Sequence, residues 1–152
     1  MKAIGVIPAR FASTRFPGKV LVLIHGKPMI EHVWRAASQC RELNDLLIAC
    51  DDDKVLKAAK IFGAKAVMTS TDHPSGSDRI AEAVGSLKFD NVVNIQGDEP
   101  FIEPQVIDDL VVALKKDANA SVATVIKEIN ADAEINNPNV VKVVIDKNSY
   151  AL

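Results

Sequence analysis

The sequence predicts an α/β domain whose mainly parallel sheet is covered by helices on both faces. Three observations predict it. Short β-branched runs recur along the chain, segments with helical spacing lie between most of them, and the runs are nearly continuously apolar. Strands buried on both faces read this way, and parallel neighbours need crossover helices.

The runs fall at residues 3–7, 46–50, 64–68, 91–95, 121–125 and 140–145. After the first strand comes a basic loop. Pro28 then suits a first helical turn, with Met29, Val33 and Ala37 on one face and Ile30 and Trp34 beside it. Asp53 can cap a helix that carries Val55, Leu56, Ala59 and Ile61 and ends at Gly63. Ile80, Ala83, Val84 and Leu87 form another stripe. Val106, Ile107, Leu110, Val111 and Leu114 form the last, opened by Pro104. There is no internal repeat or linker. The final residues, Tyr150-Ala151-Leu152, start a new apolar segment after a turn, so a C-terminally truncated domain is expected.

At 152 residues the chain predicts one domain with a real core. A net charge of −2 gives no general attraction to nucleic acid or to an anionic membrane, so any polyanion chemistry must come from local cations. Cys40 and Cys50 form no metal-binding or CxxC spacing and read as reduced, packed thiols. Lys2 precedes an apolar run that Pro8 and Arg10 cut short, which gives neither a signal peptide nor a spanning helix. A cytoplasmic protein is expected.

Four loops follow strand ends and should gather on one rim. The first, Pro8-Ala-Arg-Phe-Ala-Ser-Thr-Arg-Phe-Pro-Gly-Lys19, interleaves Arg10, Arg15 and Lys19 with small residues that let a backbone approach a ligand. It suggests a site for a nucleoside triphosphate. It has the length of a Walker A loop but lacks that motif's first glycine and its Ser/Thr, and the dinucleotide glycine pattern is absent too. In Asp51-Asp52-Asp53, capping is favoured over metal binding because a helix follows. In His73-Pro-Ser-Gly-Ser-Asp-Arg79, Ser75 or Ser77 can cap, and Asp78 suits the helix's positive end. Arg79 is awkward there unless it faces an anion or a polar ligand. In Asn94-Ile-Gln-Gly-Asp-Glu-Pro100, Asp98 is the favoured magnesium ligand, since consecutive residues point apart and Pro100 holds Glu99 extended.

Taken in order, these residues resemble the 3-deoxy-manno-octulosonate (Kdo) cytidylyltransferases. The matches are Ile7 through Arg10, Ser13, Arg15 and Pro17-Gly18-Lys19, then Gly26 through Ile30, Met68-Thr69, Ser75-Gly76 with Arg79, Asn94 through Pro100, and Asn137 through Val144. They span essentially the whole chain. Sialic acid cytidylyltransferases are similar at Pro8-Ala9-Arg10 but continue differently, and other sugar nucleotidyltransferases have a glycine-richer loop. Ser77 stands where the family usually has Thr.

The resemblance implies a Rossmann-like three-layer nucleotidyltransferase fold with a mainly parallel (mixed) sheet. It implies transfer of CMP from CTP to Kdo, with release of pyrophosphate, for lipopolysaccharide synthesis. Ala9, Arg10, Ser13, Arg15 and Lys19 would hold the triphosphate, with Lys19 also neutralising charge in the reaction. Ser75 and Arg79 would lie against the nucleotide or the sugar acid, Gln96 would orient the sugar, and Asp98 would bind catalytic Mg2+. Family members are longer, and their further portion brings a second metal-binding aspartate, sugar contacts and most of a homodimer interface. Two alternatives stay open: another sugar or sugar-acid nucleotidyltransferase, and a nucleotide-binding module without turnover.

Overall fold

The protein is described by a computed structural model that covers residues 1–12 and 16–152. These divide into two units, Met1–Val122 and Ala123–Leu152.

In the first unit, β1 (Ala3–Ala9) leads through the basic loop to a hairpin of β2 (Leu23–Ile24) and β3 (Lys27–Pro28). Then come α1 (Met29–Ala37), β4 (Asp45–Cys50), α2 (Asp53–Ile61), β5 (Ala66–Met68), α3 (Gly76–Val84), β6 (Asn91–Asn94) and α4 (Pro104–Lys116). The main sheet has strand order β5-β4-β1-β6, and every pairing in it is parallel. Antiparallel pairing between described strands is confined to the hairpin, which the sequence reading missed. His25 and Gly26 turn it with φ of 48° and 78°. Two successive positive φ values give the tight turn whose twist matches antiparallel strands.

Period-two alternation sorts the strand side chains into two layers. Ile7, Ala9, Ile48 and Cys50 share a core with Ile30, Val33 and Ala37 of α1, Val55 and Ala59 of α2, and Ile107 of α4. Ile4, Val6 and Ala49 face the other way, onto Ile80, Ala83 and Val84 of α3. Helices therefore cover both faces, as the apolar runs predict.

The helix ends differ from expectation in small ways. Asp52, not Asp53, caps α2, accepting from Lys54 N at 2.7 Å. Its backbone is extended, as a cap requires, whereas Asp53 is already helical. Gly63 follows the last turn of α2 with φ 83°, the left-handed conformation that closes many helices. Pro28 precedes α1 rather than opening it. Helix α3 stops at Val84, so Leu87 lies outside it and is exposed.

The second unit holds a short helix, α5 (Asp132–Ile135), and an isolated antiparallel bridge between Ile145 and Ala151. The strands expected at 121–125, across the boundary of the two units, and at 140–145 do not form. Strands need a partner ladder, and Val122, Val125, Val141 and Val144 are exposed instead of packed. Among the described residues no helix is long and apolar enough to cross a membrane.

Candidate active site

The sheet's connections reverse direction beside β1: the chain runs from β1 to β4 on one side and returns to β6 on the other. A crevice opens at the carboxyl ends of strands at such a point, and open α/β sheets bind ligands in it. Here it is a cleft of about 470 Å³, lined by Pro8, Arg10, Phe16, Lys19 and Val20 from the first loop, Gly76 from the start of α3, and Gln96, Gly97 and Asp98 after β6.

Close approach of backbones shapes the cleft. A Cβ on Gly97 would stand 2.9 Å from the carbonyl oxygen of Pro8, and one on Gly76 would stand 3.3 Å from the Pro8 ring. The loop after β6 and the start of α3 therefore close onto the end of β1 over glycine. Gly18 is in the left-handed region, with φ 72°, and directs the chain into a single 3-10 turn, Lys19–Leu21. That turn carries Lys19 across the cleft, where its Nζ donates to Asp98 Oδ2 at 2.7 Å. The two residues singled out for catalysis thus meet. Both remain substantially exposed, so a ligand can reach them.

The other expected binding residues distribute as follows. Arg10 is exposed on the cleft wall. Gln96 is exposed beside it and donates to Asn94 Oδ1 at 3.2 Å. Ala9 ends β1 with its side chain buried in the core. Ser13 and Arg15 lie outside the described residues. Ser75 caps α3: its Oγ accepts from Asp78 N at 3.2 Å and donates to the Asp78 carboxylate at 2.6 Å.

Arg79 does not line the cleft. Its side chain is 0% exposed and pairs with Asp51, where Nη2 donates to Oδ2 at 2.9 Å. It also donates to Thr69 Oγ1 and to the Ser70 carbonyl at 3.1 Å. The anion that Arg79 needs in a first helical turn is therefore supplied from within the fold. Asp51 was expected only to border the rim, yet its other oxygen accepts from Phe11 N at 2.8 Å. The awkward arginine was the one sequence signal for this link. Beneath it, burial pushes the Cys50 thiol above its ordinary range, which makes it a packed neutral group.

Asp98 and Glu99 are the carboxylates after β6, and among the described residues no group of three or more His, Cys, Asp or Glu could hold a metal. A single exposed carboxylate at a cleft fits a small hard cation that completes its shell with phosphate oxygens and water, as magnesium does.

A parallel sheet with cations from one loop facing a carboxylate from another across its switch point defines an open α/β protein with a ligand cleft at the carboxyl ends of its strands. A family model described as cytidylyltransferase matches residues 4–152. The chain belongs to the cytidylyltransferase family. It is 47% identical to the 3-deoxy-manno-octulosonate cytidylyltransferase of Thermodesulfovibrio yellowstonii, an alignment covering 100% of the chain and 62% of that relative. Identity to the enzyme of the same name from Pelobacter propionicus is 45%, over 100% of the chain and 60% of the relative. A solved CMP:2-keto-3-deoxy-manno-octonic acid synthetase complexed with CTP superposes with a TM-score of 0.93 at 41% identity, covering 100% of the chain and 63% of that structure. The chain thus spans about three fifths of the length of these relatives.

Proposed function

We propose that this chain binds CTP in the cleft between the loops after β1 and β6, as the nucleotide-binding portion of a 3-deoxy-manno-octulosonate cytidylyltransferase. The observation that carries the reading is the 2.7 Å meeting of Lys19 and Asp98 at the switch point, in a chain whose relatives bear that name.

In the reaction so proposed, the anomeric hydroxyl of Kdo attacks the α-phosphorus of CTP. An oxygen–phosphorus bond forms, the bond to the bridging oxygen breaks in line, pyrophosphate departs and the proton of the attacking hydroxyl passes to solvent water. Such transfers depend on positioning and charge neutralisation more than on covalent chemistry. Arg10 and Lys19 supply positive charge to the triphosphate, joined in this proposal by Ser13, Arg15 and the main chain near Ala9. Lys19 stabilises charge that builds on the departing phosphates. Gln96 orients the sugar acid. Ser75 acts through the start of α3, whose Gly76 lets the backbone lie close to the ligand. Asp98 would hold Mg2+, which when bound would screen the phosphates and make the attacking hydroxyl more acidic. CMP-Kdo made this way serves lipopolysaccharide synthesis, in the cytoplasm, with the full-length form a homodimer.

Titration of the chain with CTP, with and without magnesium, tests the binding step. Pyrophosphate release on addition of Kdo tests transfer. Binding no tighter than that of a Lys19→Met/Asp98→Asn double variant would overturn the reading. CTP binding without pyrophosphate release would leave a nucleotide-binding module.

A further inference from the structure

The buried pair behind the cleft is a poor source of net stability. Arg79 is fully enclosed, its Nε has no hydrogen-bond partner, and buried ion pairs are in general weak stabilisers. What the pair does provide is a fixed acceptor for one backbone amide in the first loop. Asp51 Oδ1 takes Phe11 N at 2.8 Å, and the Phe11 carbonyl in turn accepts from Gly18 N at 2.8 Å. The Phe11 ring lies against Gly18, where a Cβ would come within 3.2 Å of it, and Lys54 Nζ sits 4.6 Å from the ring centroid. Gly18 immediately precedes Lys19. An unbroken chain of contacts therefore runs from the ends of β4 and β5 to the lysine that faces Asp98.

We propose that Asp51 is a positioning residue for the triphosphate loop. With Arg79 locked behind it, it fixes the main chain at Phe11 and so, through the closure onto Gly18, the place of Lys19. Arg79 acts through Asp51 and does not touch the nucleotide. The proposal rests on the nucleotide reading above only for its ligand; the link to the loop is internal to the fold.

The test uses the full chain and two readouts. The first, in free protein, is amide exchange at Phe11 and Gly18 relative to the core amides of Val6 and Ile48. The second is affinity for magnesium-CTP by calorimetry. Asp51→Ala should speed exchange at Phe11 and Gly18 at least tenfold relative to the core and weaken CTP at least tenfold. The Asp51→Asn/Arg79→Met variant keeps an acceptor for Phe11 and leaves no unpaired buried charge, so it should recover both readouts to within about threefold. Ile48→Ala, a core truncation, should lower global stability without raising exchange at Phe11 and Gly18 relative to the core and without weakening CTP.

Unchanged relative exchange in Asp51→Ala overturns the proposal. So does a double variant that recovers exchange but still binds CTP as weakly as Arg79→Met alone, because Arg79 then contacts the ligand itself. Should Asp51→Ala fail to fold, the double variant decides between the two roles. Wild-type protein that does not bind CTP would overturn the nucleotide reading, while exchange at Phe11 and Gly18 still decides the positioning.

Discussion

Lys19→Met separates binding from folding if Lys19 serves the triphosphate as proposed, because its side chain does little for the fold. Its contact with Asp98 is short, at 2.7 Å, but the two side chains are 41% and 47% exposed. Pairs this open to solvent contribute about 0.2–1 kcal/mol. For a domain of this size that moves the melting temperature by no more than about 4 °C. A charge-assisted hydrogen bond from Lys19 to a phosphate is larger, about 1.5–3 kcal/mol, or roughly 10- to 150-fold in affinity. Calorimetric titration with magnesium-CTP beside a thermal melt should therefore show a large loss of binding and a small loss of stability. Asp98→Asn should behave differently. Removing a negative charge from the cleft should leave metal-free CTP bound as well or better, while the tightening caused by magnesium disappears. A Lys19→Met protein that melts far lower but binds CTP normally would refute the assignment of this pair to ligand.

Three further outcomes follow from the geometry. Gly97→Ala places a methyl 2.9 Å from the Pro8 carbonyl oxygen, closer than packed atoms tolerate. Urea denaturation should show a loss of about 1–3 kcal/mol, with weaker CTP binding because the cleft wall shifts. Asp108, 8% exposed on α4, accepts from the amides of Arg41 and Glu42 at 2.9–3.1 Å. Asp108→Ala orphans these donors and should destabilise by about 1–3 kcal/mol without changing CTP affinity. Burial, with the nearby Asp108 carboxylate, pushes the Cys40 thiol up to about 11 from an ordinary 9.0. The folded state then holds this proton more tightly than the unfolded chain does. The stability it contributes is complete below pH 9 and is lost as pH rises toward 11. Cys40→Ser should flatten that part of the stability profile, and alkylation of Cys40 in the native protein should be slow at pH 8.

Most of the sheet was legible because its strands are buried on both faces, and burial leaves a continuous apolar signature at 3–7, 46–50 and 91–95. The same signature misled at 121–125 and 140–145, where β-branched residues are present but no neighbouring strand pairs with them. Apolar runs report a preference for extended backbone; pairing decides whether a strand forms. The hairpin at Leu23–Pro28 was missed because its two-residue strands are too short for periodicity to register. Within the site, Lys19 and Asp98 could be brought together from sequence by placing both loops on the carboxyl rim. The Asp51–Arg79 pair could not. Its two members come from different loops, and nothing local distinguishes an arginine that meets a ligand from one that meets a buried aspartate.

The ion pair in the cleft and the one behind it differ above all in exposure. Lys19–Asp98 is open to solvent, is weak, and can part at little cost, which is what the proposed engagement of a metal-bound triphosphate requires. Asp51–Arg79 is sealed from water, so breaking it would strand a charge in the interior at about 3–5 kcal/mol. A ligand site needs both kinds: charges free enough to be exchanged, held by charges that are not. Moving the exposed pair into the interior would make it too costly to open, and moving the buried pair to the surface would let Phe11 and Gly18 drift. In the proposed roles, the energetic difference between 0% and 47% exposure, rather than charge itself, suits one pair to binding and the other to holding.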